Sequence, residues 1–223
     1  MPSNAPKAKL AATRALGAEV VLYDRATENR DEIAAKLTAQ SGATLVHAYG
    51  DPWIIEGQGT VGIEAAAQLQ ERIGRGPDRI VACCGGGGLT AGLALACPEA
   101  EIWIAEPEGW DDLLDSLAAG EIRSVKDMSW PTDCDALQTP RTFPINFAVL
   151  KERVSGGAAV TPADVGAAMK LVFEKLHLVV EPGGAAALAA VLAGKVAATD
   201  ATVVTLSGGN VDRETFVRMI SAG

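Results

Sequence analysis

The stretch VACCGGGGLTAG, Val81 to Gly92, sets four consecutive glycines between an apolar strand-like run and a helix of small residues. Successive glycines let backbone N–H groups converge on an anion, and the following helix adds the positive end of its dipole. A tight turn needs fewer glycines than this, so the loop reads as a phosphate site. Two common phosphate motifs can be tested against it. A nucleotide P-loop ends in Gly-Lys-Ser or Gly-Lys-Thr, but Gly92 is followed by Leu93. A dinucleotide fingerprint ending at Gly92 starts at Gly87 and demands glycine where Leu89 stands. Glu106, ending the next apolar run, stands where a ribose-binding acid would, which keeps dinucleotide binding open as the weaker alternative.

Outward from the loop, short β-branched runs alternate with alanine-rich segments. That is the pattern of an α/β fold, an open, mostly parallel twisted sheet flanked by helices. The expected strands are Val20–Tyr23, Leu45–Ala48, Arg79–Cys83, Ile102–Ala105 and Thr202–Leu206. The expected helices are Asp31–Gln40, Gly62–Arg72, Asp111–Ala119, Asp164–Leu176 and Ala185–Leu192, with Thr161 and Pro162 opening the fourth. A composition shift near Gly50–Gly57 divides residues 1–49, a remnant of a small domain, from a larger domain over residues 50–223. The first unit opens directly into MPSNAPKAKLAATRALGAEVVLY with no earlier strand to pair with.

The bulk properties narrow the function classes. Of 223 residues, 48% are hydrophobic and 21% charged, enough to bury a core. A net charge of -9 without a Lys/Arg run argues against nucleic acid. No apolar stretch reaches membrane-span length and no signal peptide is evident, so no membrane partner is expected and the cytoplasm is the default location. Cys83, Cys84, Cys97 and Cys134 show no paired metal spacing and read as buried thiols. His47 and His177 have no motif context, and His177 reads as a helix-end residue.

Several segments occur here in one order: MPSNAPKAK, GAEVVLY, IEGQGTVGIE (Ile55–Glu64), GGGGLTAG, AEPEGWDD (Ala105–Asp112) and LSGGNVD (Leu206–Asp212). Together they resemble the serine/threonine dehydratases (threonine ammonia-lyases and serine-racemase-like enzymes) of the fold-type-II pyridoxal-phosphate family, whose fold is tryptophan synthase β-like. The resemblance covers nearly the whole chain. It implies that Gly85, Gly86, Gly87, Gly88 and Leu89 grip the phosphate of pyridoxal 5'-phosphate, and that Ser207 bonds the pyridine nitrogen. A hydroxyl there leaves that nitrogen neutral and suits elimination. It also implies a divalent cation, Mg²⁺ or Ca²⁺, held by Glu106, the Trp110 carbonyl and Asp112, although Asp111 and Asp112 equally suit a helix N-terminus. In VVEPGGAAALAAVLAG (Val179–Gly194), Glu181 is an acid near the ring, and the small residues allow close packing.

The family's Schiff-base lysine, in a Ser-Phe-Lys motif, and its substrate-carboxylate loop lie upstream of the MP…AP segment, and neither occurs in this sequence. Lys7, Lys9, Lys36, Lys126, Lys151, Lys170, Lys175 and Lys195 all fall in polar or helical-surface contexts, so none is nominated as catalytic. PTDCDAL (Pro131–Leu137) stands where the family commonly has a Gly-containing turn. The short end after SGGNVD resembles the catabolic form without a regulatory domain. The resulting expectation is the C-terminal portion of a deaminating serine/threonine dehydratase, acting on a small amino acid. It would be paired as a homodimer or completed by a missing N-terminal segment or chain. Alternatives are a non-catalytic or partner-completed phosphate-binding fragment, and a serine racemase or β-replacement synthase of the same fold.

Overall fold

Apolar β-branched runs that must be covered on both faces become interior strands of a parallel sheet. In the computed structural model, which describes residues 1–222, Arg79–Cys83 is that strand. The chain runs α1 (Lys7–Ala15), α2 (Arg30–Ser41), α3 (Pro52–Ile73), β1 (Arg79–Cys83), α4 (Gly88–Ala96), β2 (Glu101–Pro107) and α5 (Asp112–Ala119). It continues with α6 (Pro144–Arg153), β3 (Val154–Val160), α7 (Pro162–Leu171), a π turn (Val172–Leu176), α8 (Pro182–Leu192), β4 (Thr202–Val204) and α9 (Arg213–Ala222). The sheet order is β3-β2-β1-β4 with every pairing parallel.

The period-two alternation of β1 builds the layers. Ile80 and Ala82 pack on Leu93 and Ala94 of α4, while Val81 and Cys83 face the alanines of α8 and Met169 of α7. All four Cys side chains are buried and unpaired. Helix starts follow local chemistry: Asp51 accepts from the amides of Trp53 and Ile54 ahead of Pro52. Thr161 and Asp164 form a reciprocal capping box ahead of α7.

Two expected strands do not form. Val20–Tyr23 makes one bridge, Tyr23 to Pro2, and Leu45–Ala48 makes none. Their sequence favours extended chain, but a ladder needs a neighbour of some length: Val20–Tyr23 meets only Met1–Ser3, and Leu45–Ala48 pairs with none of the described residues. Residues 1–48 contain no buried residue; Tyr49 is the first. Conversely, VSGGAAV is a strand that propensity hides. In β3, a Cβ on Gly157 would lie 2.5 Å from an Ile104 side-chain carbon on β2, so close strand packing explains the glycine. The expected Gly62–Arg72 helix starts ten residues earlier, at Pro52, and the helix over Asp164–Leu176 changes to π winding at Val172, ending in His177 at φ 56°.

Helices α3 and α4 pack backbone to backbone. A Cβ on Gly92 would fall 2.5 Å from both the Gly59 nitrogen and the Ile55 oxygen, whereas one on the exposed Gly57 meets nothing within 4 Å. Gly92→Ala should therefore destabilise the fold by about 1–3 kcal/mol, while Gly57→Ala should be neutral or stabilising by up to about 1 kcal/mol. Urea unfolding of the two variants measures this contrast.

Candidate functional site

β1 leaves the sheet at Cys84, whose amide donates to the Ala105 carbonyl at 2.9 Å. Gly85 to Gly88 are buried, yet among the described residues none of the amides from Gly85 to Thr90 has an acceptor. Runs of buried amides without partners are rare unless something outside the chain accepts from them. The loop is fixed from behind. The Gly86 carbonyl accepts from Thr142 Oγ1 at 3.1 Å and from Asn146 Nδ2 at 3.0 Å. The Tyr49 ring lies where any Gly86 side chain would have to go, and Gly87 turns at φ +88° as the N-cap of α4. Free amides, a positive φ and a helix N-terminus together make an anion cradle. It opens on a cleft of about 600 Å³ whose walls include Tyr49, Leu137 and Ser207.

Ser207 follows β4 and is exposed in that cleft, with its Oγ 3.0 Å from Cys83 Sγ. Gly85–Leu89 and Ser207, the residues expected to hold the two ends of one cofactor, thus line one space. Glu181 is the N-cap of α8. Its amide donates to the Gly208 carbonyl at 2.8 Å, and its carboxylate lies against Gly208.

One lysine departs from the expected surface setting. Lys9, on α1, has a side chain only 17% exposed and reaches Asp135 at 2.9 Å and Glu181 at 2.8 Å. Burial alone would lower its pKa, but the hydrogen bonds it donates to both carboxylates reverse this and raise it. Lys9 is thus held as a cation, unsuited to nucleophilic work. Its amphipathic helix gave no sign of this, because the partners are 126 and 172 residues away.

The acidic segment after β2 is buried. Glu106 is fully enclosed and accepts from the amides of Leu113 at 3.2 Å and Leu114 at 2.8 Å, at the start of α5. Burial, then the nearby Asp112, pushes its pKa well above the carboxylate range. Asp112 is 3% exposed with neither oxygen hydrogen-bonded, and burial pushes it up to about 7. The Trp110 side chain is also enclosed, its indole donating to the Trp130 carbonyl at 2.9 Å. Among the described residues no cluster of three or more His, Cys, Asp or Glu forms a metal cage. The two buried Asp112 oxygens without partners are hard donors of the kind Mg²⁺ or Ca²⁺ takes.

His47 serves structure. Its Nδ1 accepts from the Gly50 amide at 2.7 Å, and its ring packs on Tyr49 and Phe143. Tyr49, Asn146 and Thr142, which shape the loop, carry no motif. Arg25 likewise carries no motif. It lies in the wall of the cleft, donates through Nη1 to the Gln138 carbonyl at 2.8 Å, and has a buried Nε without a partner. Lys9→Met should cost about 2 kcal/mol in denaturant unfolding, between the ~0–1 of surface pairs and the ~3–5 of fully buried ones. Lys126→Met, which removes an exposed pair with Asp115, should leave stability unchanged.

No helix among the described residues is long and apolar enough to cross a membrane. The family model described as "Pyridoxal-phosphate dependent enzyme" matches residues 1–208. A serine racemase of Schizosaccharomyces pombe is 34% identical over 226 residues, spanning 99% of this chain and 68% of that protein. An L-threo-3-hydroxyaspartate ammonia-lyase of Pseudomonas sp is 36% identical over 225 residues, again 99% and 68%. The crystal structure of a threonine deaminase from T.th. superposes with a TM-score of 0.84 at 39% identity, covering 95% of this chain and 69% of that one. The chain thus spans about two-thirds of the length of these relatives. The match over residues 1–208, and the parallel sheet that carries the loop, lead to one conclusion: the chain belongs to the pyridoxal-phosphate dependent enzyme family.

Proposed function

We propose that this chain supplies the cofactor-holding part of an ammonia-lyase that removes the β-hydroxyl of hydroxy amino acids as water and takes a water back on hydrolysis, releasing ammonia and a 2-oxo acid. The observation carrying this reading is the run of buried, unpartnered amides from Gly85 to Thr90 in the same cleft as Ser207. Pyridoxal phosphate, when bound, supplies the electron sink for breaking bonds at the substrate's α-carbon. The loop's amides and the α4 N-terminus bind its phosphate. The Ser207 hydroxyl meets the ring nitrogen without protonating it, which favours elimination over deeper charge delocalisation. Lys9 neutralises Glu181, so that carboxylate would do less to favour a protonated ring nitrogen. Among the described residues no lysine lines the cleft, and Lys9 is committed to two carboxylates, so proton transfer at the α-carbon needs a group from outside these residues.

Purified chain mixed with pyridoxal phosphate should show a raised melting temperature and a bound-cofactor absorbance, with no turnover of L-serine or L-threonine. A borohydride-trapped adduct mapping to one lysine would overturn the incomplete-site part of this reading. Gly86→Val, which drives a side chain into Tyr49, should weaken cofactor binding at least tenfold. A pairing of two chains is the expected assembly, readable by size-exclusion chromatography.

Glu106, Asp112 and the Trp110 carbonyl are the proposed Mg²⁺ or Ca²⁺ ligands. In chelator, the raised Asp112 pKa makes protonation stabilising. That contribution is full below about 4, the ordinary value being 3.8, and is lost as pH rises through about 7. Added Mg²⁺ should restore the melting temperature above pH 7 and do little near pH 4. An equal effect in Asp112→Asn would refute the assignment.

A specific observation also favours acidic substrates. Arg25 and Arg30 both line the cofactor cleft and an adjoining cleft of about 470 Å³, and among the described residues no carboxylate pairs with Arg25. Burial lowers its pKa by more than the fields of Tyr23 and Asp135 raise it. A substrate carboxylate would provide a paired counter-charge, as in the hydroxyaspartate that the Pseudomonas relative is named for. With cofactor present, L-aspartate should bind at least tenfold tighter than L-asparagine, and Arg25→Ala should erase the difference. Equal binding of the two by the unaltered chain would rule this out.

A further inference from the structure

We propose that Cys83 is a positioning residue: through its contact with Ser207 it turns the Ser207 hydroxyl proton into the cleft, fixing which partner in the bond to the ring nitrogen is the donor. This rests on the cofactor reading above and adds a residue to it.

Cys83 ends β1, and its amide donates to Thr205 Oγ1 at 3.3 Å on the chain leaving β4. Its Sγ is 3.7 Å from that same Thr205 oxygen and 3.0 Å from Ser207 Oγ. A thiol has one proton, and a hydroxyl has one proton with two acceptor positions. Thr205 Oγ1 accepts from the Cys83 amide, and in the proposed order its own proton points at Cys83 Sγ. The thiol proton is then left for Ser207 Oγ, and the Ser207 proton for the cleft. In this order every group in the chain Thr205, Cys83, Ser207 donates once, and each orients the next. The reverse order would point the Ser207 lone pair into the cleft and present an acceptor to a protonated ring nitrogen.

The thiol remains a donor only while it is protonated. Burial, at 4% exposure, pushes its pKa up, more than the hydrogen bonds with Ser207 and Thr205 pull it down. Glu181 is the charged group whose field reaches Cys83, in the same direction, and it is paired with Lys9. An apolar residue at position 83 would leave the Ser207 hydroxyl free to rotate and to accept from a protonated nitrogen. A serine would preserve the order.

The test is the pH titration of cofactor absorbance in the chain loaded with pyridoxal phosphate, for the unaltered protein, Cys83→Ser, Cys83→Ala and Ser207→Ala. Unaltered protein and Cys83→Ser should titrate together, with the ring nitrogen unprotonated to lower pH. Cys83→Ala should move the transition to higher pH by half a unit or more, without a matching loss in melting temperature. If Cys83→Ala titrates as the unaltered protein while Ser207→Ala does not, the inference about Cys83 fails and the cofactor reading stands. If Ser207→Ala also changes nothing, or the chain takes up no cofactor, both fail.

Discussion

Asn146 sits at 0% exposure on α6 and donates through one amide nitrogen to two carbonyls, those of Tyr49 and Gly86, each at 3.0 Å. That bridge joins the segment entering α3 to the loop leaving β1. With it in place the Tyr49 ring is wedged against Gly86, and the loop has no room for a side chain. The amides are then the only polar surface the loop offers. A buried polar network of this kind is worth more than its separate bonds, because each member removes freedom from the next. The anion cradle is therefore a product of tertiary contact across about a hundred residues of chain, and the glycines are its permissive half.

Charge around the cleft is divided in a similar way. The cation of Lys9 is consumed by Asp135 and Glu181, and the thiol of Cys83 stays neutral. Arg25 keeps its charge and makes no ion pair among the described residues, with Asp135 the carboxylate whose field reaches it. A site with one committed cation, one neutral relay and one open cation separates its tasks: holding an acid in place, orienting a hydroxyl, and receiving an anion.

The glycine loop and the core of the sheet were legible in the sequence because each is local, whereas Ser207 entered only through the resemblance. Glycine runs, β-branched runs and capping residues act over a handful of positions. Arg79–Cys83 was read with its observed bounds, and Ile102–Ala105 lies inside the longer Glu101–Pro107. What stayed hidden is non-local. β3 reads as flexible Gly/Ala chain until Ile104 is laid beside it. Lys9 reads as a surface residue until its carboxylates arrive from 126 and 172 positions away. Val20–Tyr23 and Leu45–Ala48 show the opposite error, since good local propensity without a neighbouring strand yields extended chain and no ladder.

None of residues 1–48 is fully buried, yet they carry Arg25 and Arg30 to the cleft and Lys9 to Asp135 in its wall. Much of what ties them to the sheet is charged or polar: Lys9 to its two acids, Arg25 to the Gln138 carbonyl, and the Ala8 amide to Asp212. Such ties weaken as mobile ions screen them, over a Debye length of about 8 Å at physiological ionic strength. The apolar packing of α4 and α8 against the sheet does not weaken in this way. The two walls of the cleft thus answer to different solvents, and ionic strength loosens the arginine-bearing wall while leaving the glycine wall fixed.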